Sequence, residues 1–191
     1  MLRVWGRLSS INVRKVVLCA QVLGVPFERI DAGLSYGVVN TPDYRAKNPN
    51  GLVPLLEDGD FTLWESNAIV RYLCAREGSP LYPKDLQRRA DAERWMDWQQ
   101  TTLNPAGSPG FKQLIRTPEA QRDPAVIAAS VAATEPLFTA TDAEGVLSRV
   151  WAIRDTANMY WSWADRAALA LAASLSYFLG RWADWAPKNA A

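Results

Sequence analysis

Pro54 opens a run, Val53-Pro54-Leu55-Leu56, that otherwise reads as a strand inside a sheet. Proline brings no N–H to a strand ladder, so it is tolerated only at a first position, an edge or a bulge. Two arrangements meet that limit. In one, the Val53–Pro54 bond is cis, and the Val53 N–H and C=O face outward, where they can pair with the backbone of an extended peptide. In the other, the proline is trans at a strand edge. The neighbouring residues narrow the fold further. Asn48-Pro49-Asn50-Gly51 is a dense turn signal, and Asp58-Gly59 separates Leu55-Leu56 from Phe61-Thr62-Leu63 as a hairpin turn would.

The segments on either side complete a layout. Leu2 to Trp5 reads as a short strand closed by Gly6. Val13, Val16, Val17, Ala20 and Leu23 then recur at helical spacing, and Gly24 stops the run. Phe27-Glu28-Arg29-Ile30 is a second strand, so the first two strands flank a helix as in a parallel βαβ unit. Gly33 to Asn40 reads as a loop, and Thr41-Pro42-Asp43-Tyr44 opens a short helix. Past the hairpin, Trp64-Glu65-Ser66-Asn67 begins a helix with Ala68, Ile69, Tyr72 and Leu73 on its apolar face. The order βαβ, loop helix, ββα predicts a mixed sheet covered by helices. Ser79-Pro80-Leu81-Tyr82-Pro83 looks like a linker. Beyond it the chain turns helical: Leu86 to Thr102 with Trp95 and Trp98 on one face, a Pro- and Gly-rich break from Asn104 to Gly110, a helix from Val126 to Thr141 disturbed at Pro136, and an Ala- and Trp-rich stretch from Asn158 to Trp185. The predicted organisation is an α/β domain over 1–79, a linker over 80–85 and an all-helical domain over 86–191.

Composition removes several classes of function. Lys plus Arg total 21 and Asp plus Glu total 20, a net charge of +1, so no bulk charge is available for nucleic acid or an anionic membrane. With no histidine among 191 residues, Ser-His-Asp and Cys-His sites and imidazole-built metal centres are excluded. Neither a metal nor a resident cofactor is expected. Cys19 and Cys74 form no C-x-x-C and fall in segments of helical apolar spacing, which reads as two buried thiols in a reducing compartment. The start, MLRVWGRLSS, shows no apolar leader core, and the longest nearly uncharged apolar stretch, Ala167 to Gly180, is too short to cross a bilayer. A soluble cytoplasmic protein is the expectation.

Two further places can carry chemistry. Ser9-Ser10-Ile11-Asn12 stands at the junction of the first strand and helix, where unpaired N–H groups and a partial positive charge gather. A hydroxyl there either caps the helix or donates to a bound thiolate and lowers its pKa. Glu65-Ser66-Asn67 stands at the start of the third helix. Ser66 either caps that helix or, with the free N–H groups, holds a ligand carboxylate while Glu65 takes an ammonium group.

Taken together, these segments resemble the cytosolic glutathione transferases, bacterial members in particular. The resemblance runs through W-G-R-L-S-S-I-N-V-R-K-V, L-G-V-P-F-E-R-I-D, N-T-P-D-Y-R-A-K-N-P-N-G-L-V-P-L-L-E-D and W-E-S-N-A-I-V-R-Y-L, nearly continuously over residues 1–80. It implies a thioredoxin-like N-terminal domain that binds glutathione, followed by a helical domain that shapes an apolar pocket for a small hydrophobic electrophile. By position, Glu65 and Ser66 look like the pair for the γ-glutamyl amine and carboxylate. Val53 looks like the backbone partner of the cysteinyl part, ahead of a cis Pro54. S-x-N matches the serine type of site, so the resemblance assigns Ser10 to the thiolate, with Asn12 in support and Ser9 as the fallback one position away. The same resemblance implies glutathione as co-substrate, a homodimer and a detoxifying transferase.

The chain also departs from that family. Relatives place a basic residue or histidine before N-P-x-G for the glycyl carboxylate, where this chain has Val38-Val39-Asn40; Asn40 and nearby Lys47 are the available substitutes. After about residue 145 the family pattern of G-D followed by S/T-x-A-D-I is met only by Arg154-Asp155-Thr156-Ala157-Asn158-Met159. Of 9 tryptophans, Trp151, Trp161, Trp163, Trp182 and Trp185 crowd this last part. Either the tail is divergent or it is read from a shifted frame. The alternative function is therefore a non-catalytic binding or scaffold protein of the same fold. With no Cys near the first helix, a disulfide reductase is disfavoured.

Overall fold

The structure is a computed structural model, and it describes residues 1–143, with side chains through 137. The helix expected over 158–185 and the atypical pattern after about 145 lie outside the described residues. The chain divides into two compact units, Met1–Lys84 and a second that begins at Asp85.

In the first unit, β1 (Leu2–Trp5), α1 (Ile11–Val22) and β2 (Phe27–Ile30) form the expected parallel βαβ unit. A single 3-10 turn, Leu34–Tyr36, leads to α2 (Pro42–Lys47), whose Thr41 hydroxyl accepts the Tyr44 N–H at 3.3 Å. The hairpin is β3 (Leu55–Asp58) and β4 (Phe61–Trp64), followed by α3 (Ser66–Arg76). Strand order is β2-β1-β3-β4, with β3 antiparallel to both neighbours. The pleat sorts side chains between two faces. Trp5 and Leu55, paired in register, share one face with Tyr44 and Ala32, and Tyr44 meets Trp5 edge-on. Val4 and Leu56, also paired and both fully buried, point to the other.

Helices α1 and α3 pack together. Asn12 meets Ser66, Lys15 meets Asn67 and Cys19 meets Cys74. Contacts in that order mean that the helices run parallel, with their N-termini at the same end.

In the second unit the Asp85 carboxylate accepts the Arg88 N–H at 2.9 Å and starts α4 (Leu86–Trp98), on which Trp95 and Trp98 pack edge-on. Here the sequence expectation needs correcting. Asn104 to Gly110 is not a break but part of α5 (Asn104–Phe111), joined to α4 by a wider π-type turn over Gln99–Leu103 and continued by another over Lys112–Arg116. Pro105 falls in the first turn of α5, where its missing N–H costs least, and the wide turns flank a helix that also contains Pro109. Gly110 serves packing. A Cβ on Gly110 would come within 2.8 Å of Ser130 Oγ on α6 (Pro124–Ala143). The Ser130 hydroxyl donates to the Ala106 carbonyl at 2.6 Å, tying α5 to α6. Helix α6 runs on through Pro136.

Candidate functional site

The three segments singled out in the sequence meet at one end of the first unit. Gly6, just past β1, adopts φ +148, and a Cβ there would lie 2.4 Å from Val13 Cγ2 and 3.1 Å from Val53 Cβ. The start of α1 therefore lies close to the Val53 segment. From the same turn of α1, Asn12 reaches α3, where Ser66 donates to its Oδ1 at 3.4 Å.

Ser10 is the N-cap residue of α1 by backbone geometry, with φ −92 and ψ 122. Its carbonyl accepts the Arg14 N–H, but its hydroxyl makes no capping bond. The capping use of this serine is thus corrected: the helix closes on the Ser10 main chain, and the side chain has no partner among the described residues. Ser10 is buried and Ser9 is exposed.

The Val53–Pro54 bond is cis. Tyr44 Oη and Asn48 Nδ2 both donate to the Leu52 carbonyl, at 2.7 and 2.8 Å, and fix the backbone just ahead of Val53. Burial pushes the Tyr44 phenol up to about 12, so it stays a donor across the physiological range. The Val53 N–H and C=O form no hydrogen bond among the described residues.

Ser66 is the first residue of α3, not its cap; that position falls to Glu65, which has no side-chain capping bond. Glu65 holds φ 73, a region that costs a non-glycine residue about 1–3 kcal/mol and is often found at ligand clamps. Its carboxylate is exposed, while Ser66 and Asn67 are buried. Two parallel helix N-termini, with N–H groups at α1 and α3 pointing to one end, make a site suited to two anionic groups on one ligand.

The residues expected for a glycyl carboxylate are differently engaged. Lys47 donates to Glu57 at 2.5 Å and lies over the Trp5 ring. Burial opposes the Glu57 charge, but Lys47, the Trp5 indole and Arg3 together outweigh it and hold the carboxyl below its usual range. Asn40 Oδ1 accepts from Arg45 Nη2 at 2.9 Å, and Arg45 Nη1 donates to the Pro49 carbonyl at 2.9 Å. The exposed guanidinium of Arg45 lies against Gly51, whose φ of +60 suits a residue without a side chain. The sequence reading passed over Arg45; its place one turn after Thr41 on α2 was the available signal.

Lys15 was also missed. It is 2 % exposed, and its ammonium donates to Asn67 Oδ1 at 2.6 Å. Burial lowers its pKa to about 8, partly countered by Glu65 and reinforced by Arg71. Among the described residues no group of three or more His, Cys, Asp or Glu side chains is placed to hold a metal ion, and no helix is long and apolar enough to cross a membrane.

Comparison with known proteins yields close relatives. Residues 1–75 match the glutathione S-transferase N-terminal domain. The chain is 48% identical over 147 residues to glutathione S-transferase GstB of Escherichia coli strain K12, an alignment covering 75% of this chain and 71% of that protein. The theta class glutathione S-transferase of Xanthomonas axonopodis pv. citri, solved with glutathione bound, superimposes with a TM-score of 0.73 at 47% identity, over 75% of this chain and 69% of that one. Human glutathione S-transferase T1-1 in its apo form matches with a TM-score of 0.63 at 33% identity, over 71% of this chain and 59% of that one.

Proposed function

The chain belongs to the glutathione S-transferase family, and from that premise we propose that it conjugates the thiolate of glutathione to small hydrophobic electrophiles. The observation that carries this reading is the meeting of both helix starts, with Ser66 donating to Asn12 at 3.4 Å while the Ser10 hydroxyl has no partner among the described residues. The γ-glutamyl end lies along the start of α3, its ammonium on Glu65 and its carboxylate on Ser66. The cysteinyl amide pairs with the Val53 backbone, which the tight Val53–Pro54 connection presents. The sulfur then reaches the start of α1, where Ser10 donates to it and Asn12 orients the neighbouring turn. Ser9 is the alternative donor. Arg45 and Asn40 receive the glycyl carboxylate; Lys47, occupied by Glu57, adds only its field.

The magnitudes are sufficient. A cysteine thiol of pKa about 8.5 is mostly protonated at neutral pH, and lowering it by about 2 units needs about 2.7 kcal/mol. A hydrogen bond to a charged acceptor contributes about 1.5–3 kcal/mol, and a helix N-terminus about 0.3–1. The thiol proton leaves to solvent. The sulfur then forms a bond to the electrophilic carbon of an aryl halide, and halide departs with the bonding pair. No cofactor beyond glutathione is needed. We assign the protein to the cytoplasm, in detoxifying work, as a homodimer.

Turnover of glutathione with a chromogenic aryl halide tests the reading. Saturable turnover well above the uncatalysed rate is expected. Glutathione binding without turnover would instead favour the scaffold alternative, and light scattering at the mass of a single chain would remove the dimer.

A further inference from the structure

The buried cation in the α1–α3 seam has no part in the chemistry above. Lysine is rarely buried unless paired, and burying it costs stability. Here the ammonium is 2 % exposed and sits at the level of the first turn of α3. It is bound to Asn67 Oδ1 at 2.6 Å, beside Ser66, and attracted by Glu65. Glu65, ahead of α3, and Arg71, within α3, are the charged groups whose fields act on it. One turn earlier on α1, the Asn12 side chain makes the long 3.4 Å contact with Ser66. The Lys15–Asn67 bond, at 2.6 Å, is thus shorter than the Asn12–Ser66 contact at the same end. It also lies where the chain holds Glu65 in a positive-φ conformation that needs support from its surroundings.

We propose that Lys15 is the positioning residue of the γ-glutamyl cradle: its buried ammonium, bonded to Asn67 Oδ1, fixes the first turn of α3 against α1 and sets the affinity for the γ-glutamyl end of the peptide. This rests on the glutathione-binding reading above. The lysine acts through Asn67 and Glu65 and does not touch the reacting sulfur. Acting through α3 and not on the sulfur, it should affect affinity and chemistry differently when removed.

The test compares the wild type with Lys15→Met, which keeps length and apolar bulk but removes charge and donor, and with Lys15→Arg, which restores both. Calorimetry with S-methylglutathione, whose sulfur cannot ionise, reads the cradle alone. Steady-state kinetics read KM for glutathione, KM for the aryl halide and kcat. Lys15→Met should weaken S-methylglutathione binding and raise KM for glutathione at least five-fold. Its kcat at saturating glutathione and KM for the halide should change less than three-fold, and Lys15→Arg should recover more than half of the lost affinity on a logarithmic scale. A change below five-fold in binding overturns the proposal. So does a joint loss of kcat and both KM values, or no recovery in a folded Lys15→Arg. Should Lys15→Met not fold, Asn67→Ala breaks the same bond from the other side and carries the same five-fold threshold. Failure of the wild type itself to bind S-methylglutathione would sink the glutathione-binding reading, an outcome distinct from a normal wild type with an unaffected variant.

Discussion

Ser66 Oγ lies 3.4 Å from Asn12 Oδ1, so the start of the third helix touches the first turn of the first helix. Residues 54 apart in the chain are thereby joined at the end where both helices expose N–H groups. A ligand with two anionic groups spans two helix starts at once, and the side chains that discriminate between its ends come from both.

Ser10→Ala removes one donor to the sulfur and leaves the backbone that closes α1 intact, because the side chain makes no capping bond. The kcat/KM for glutathione conjugation should fall roughly 10- to 150-fold, the equivalent of about 1.5–3 kcal/mol. Thermal stability should be nearly unchanged. An unaltered kcat/KM would shift the assignment to Ser9.

Lys15 gives the protein a signature in its pH-dependent stability. Burial lowers its folded pKa from 10.5 to about 8. Between those values the unfolded chain carries a proton that the folded chain lacks, so stability rises with pH across this window and the burial penalty acts in full below it. Relative to Lys15→Met, the wild type should gain about 3 kcal/mol between pH 8 and 10.5. Urea unfolding of both proteins at a series of pH values measures the difference. Parallel curves would mean that the ammonium is not desolvated.

Gly110→Ala tests the packing of α5 on α6. Alanine favours helix by about 1 kcal/mol over glycine. Its Cβ would nevertheless sit 2.8 Å from Ser130 Oγ and 2.9 Å from Ser130 Cβ. The overpacking should outweigh the propensity gain, with a net loss of about 1–2 kcal/mol. Adding Ser130→Gly should relieve the clash, and denaturant midpoints of the two variants report it.

The α/β half of the fold was legible because each of its signals is local. Gly24 stops α1, Thr41-Pro42 starts α2, and Gly59, with φ +61, turns the hairpin. The helical half was less so. Pro105, Gly107, Pro109 and Gly110 argue locally against a helix, and the opposing term is the close approach of Ala106 and Gly110 to Ser130, which no local pattern reveals. At the site, Ser10, Val53 and Ser66 were visible as residue types at element junctions. Lys15 was not, since a lysine among apolar residues reads as a solvent-seeking chain. Its place one turn before the buried Cys19 was the signal that it faces inward.

The most direct measurement is the ionisation of glutathione on the protein, followed by the ultraviolet absorbance of its thiolate as pH is raised. A sulfur held by Ser10 at the mouth of α1 should ionise about 2 units below the free thiol, and Ser10→Ala should return it most of the way. A bound thiol that ionises as it does in free solution, in wild type and variant alike, would contradict a serine-stabilised thiolate at this helix start.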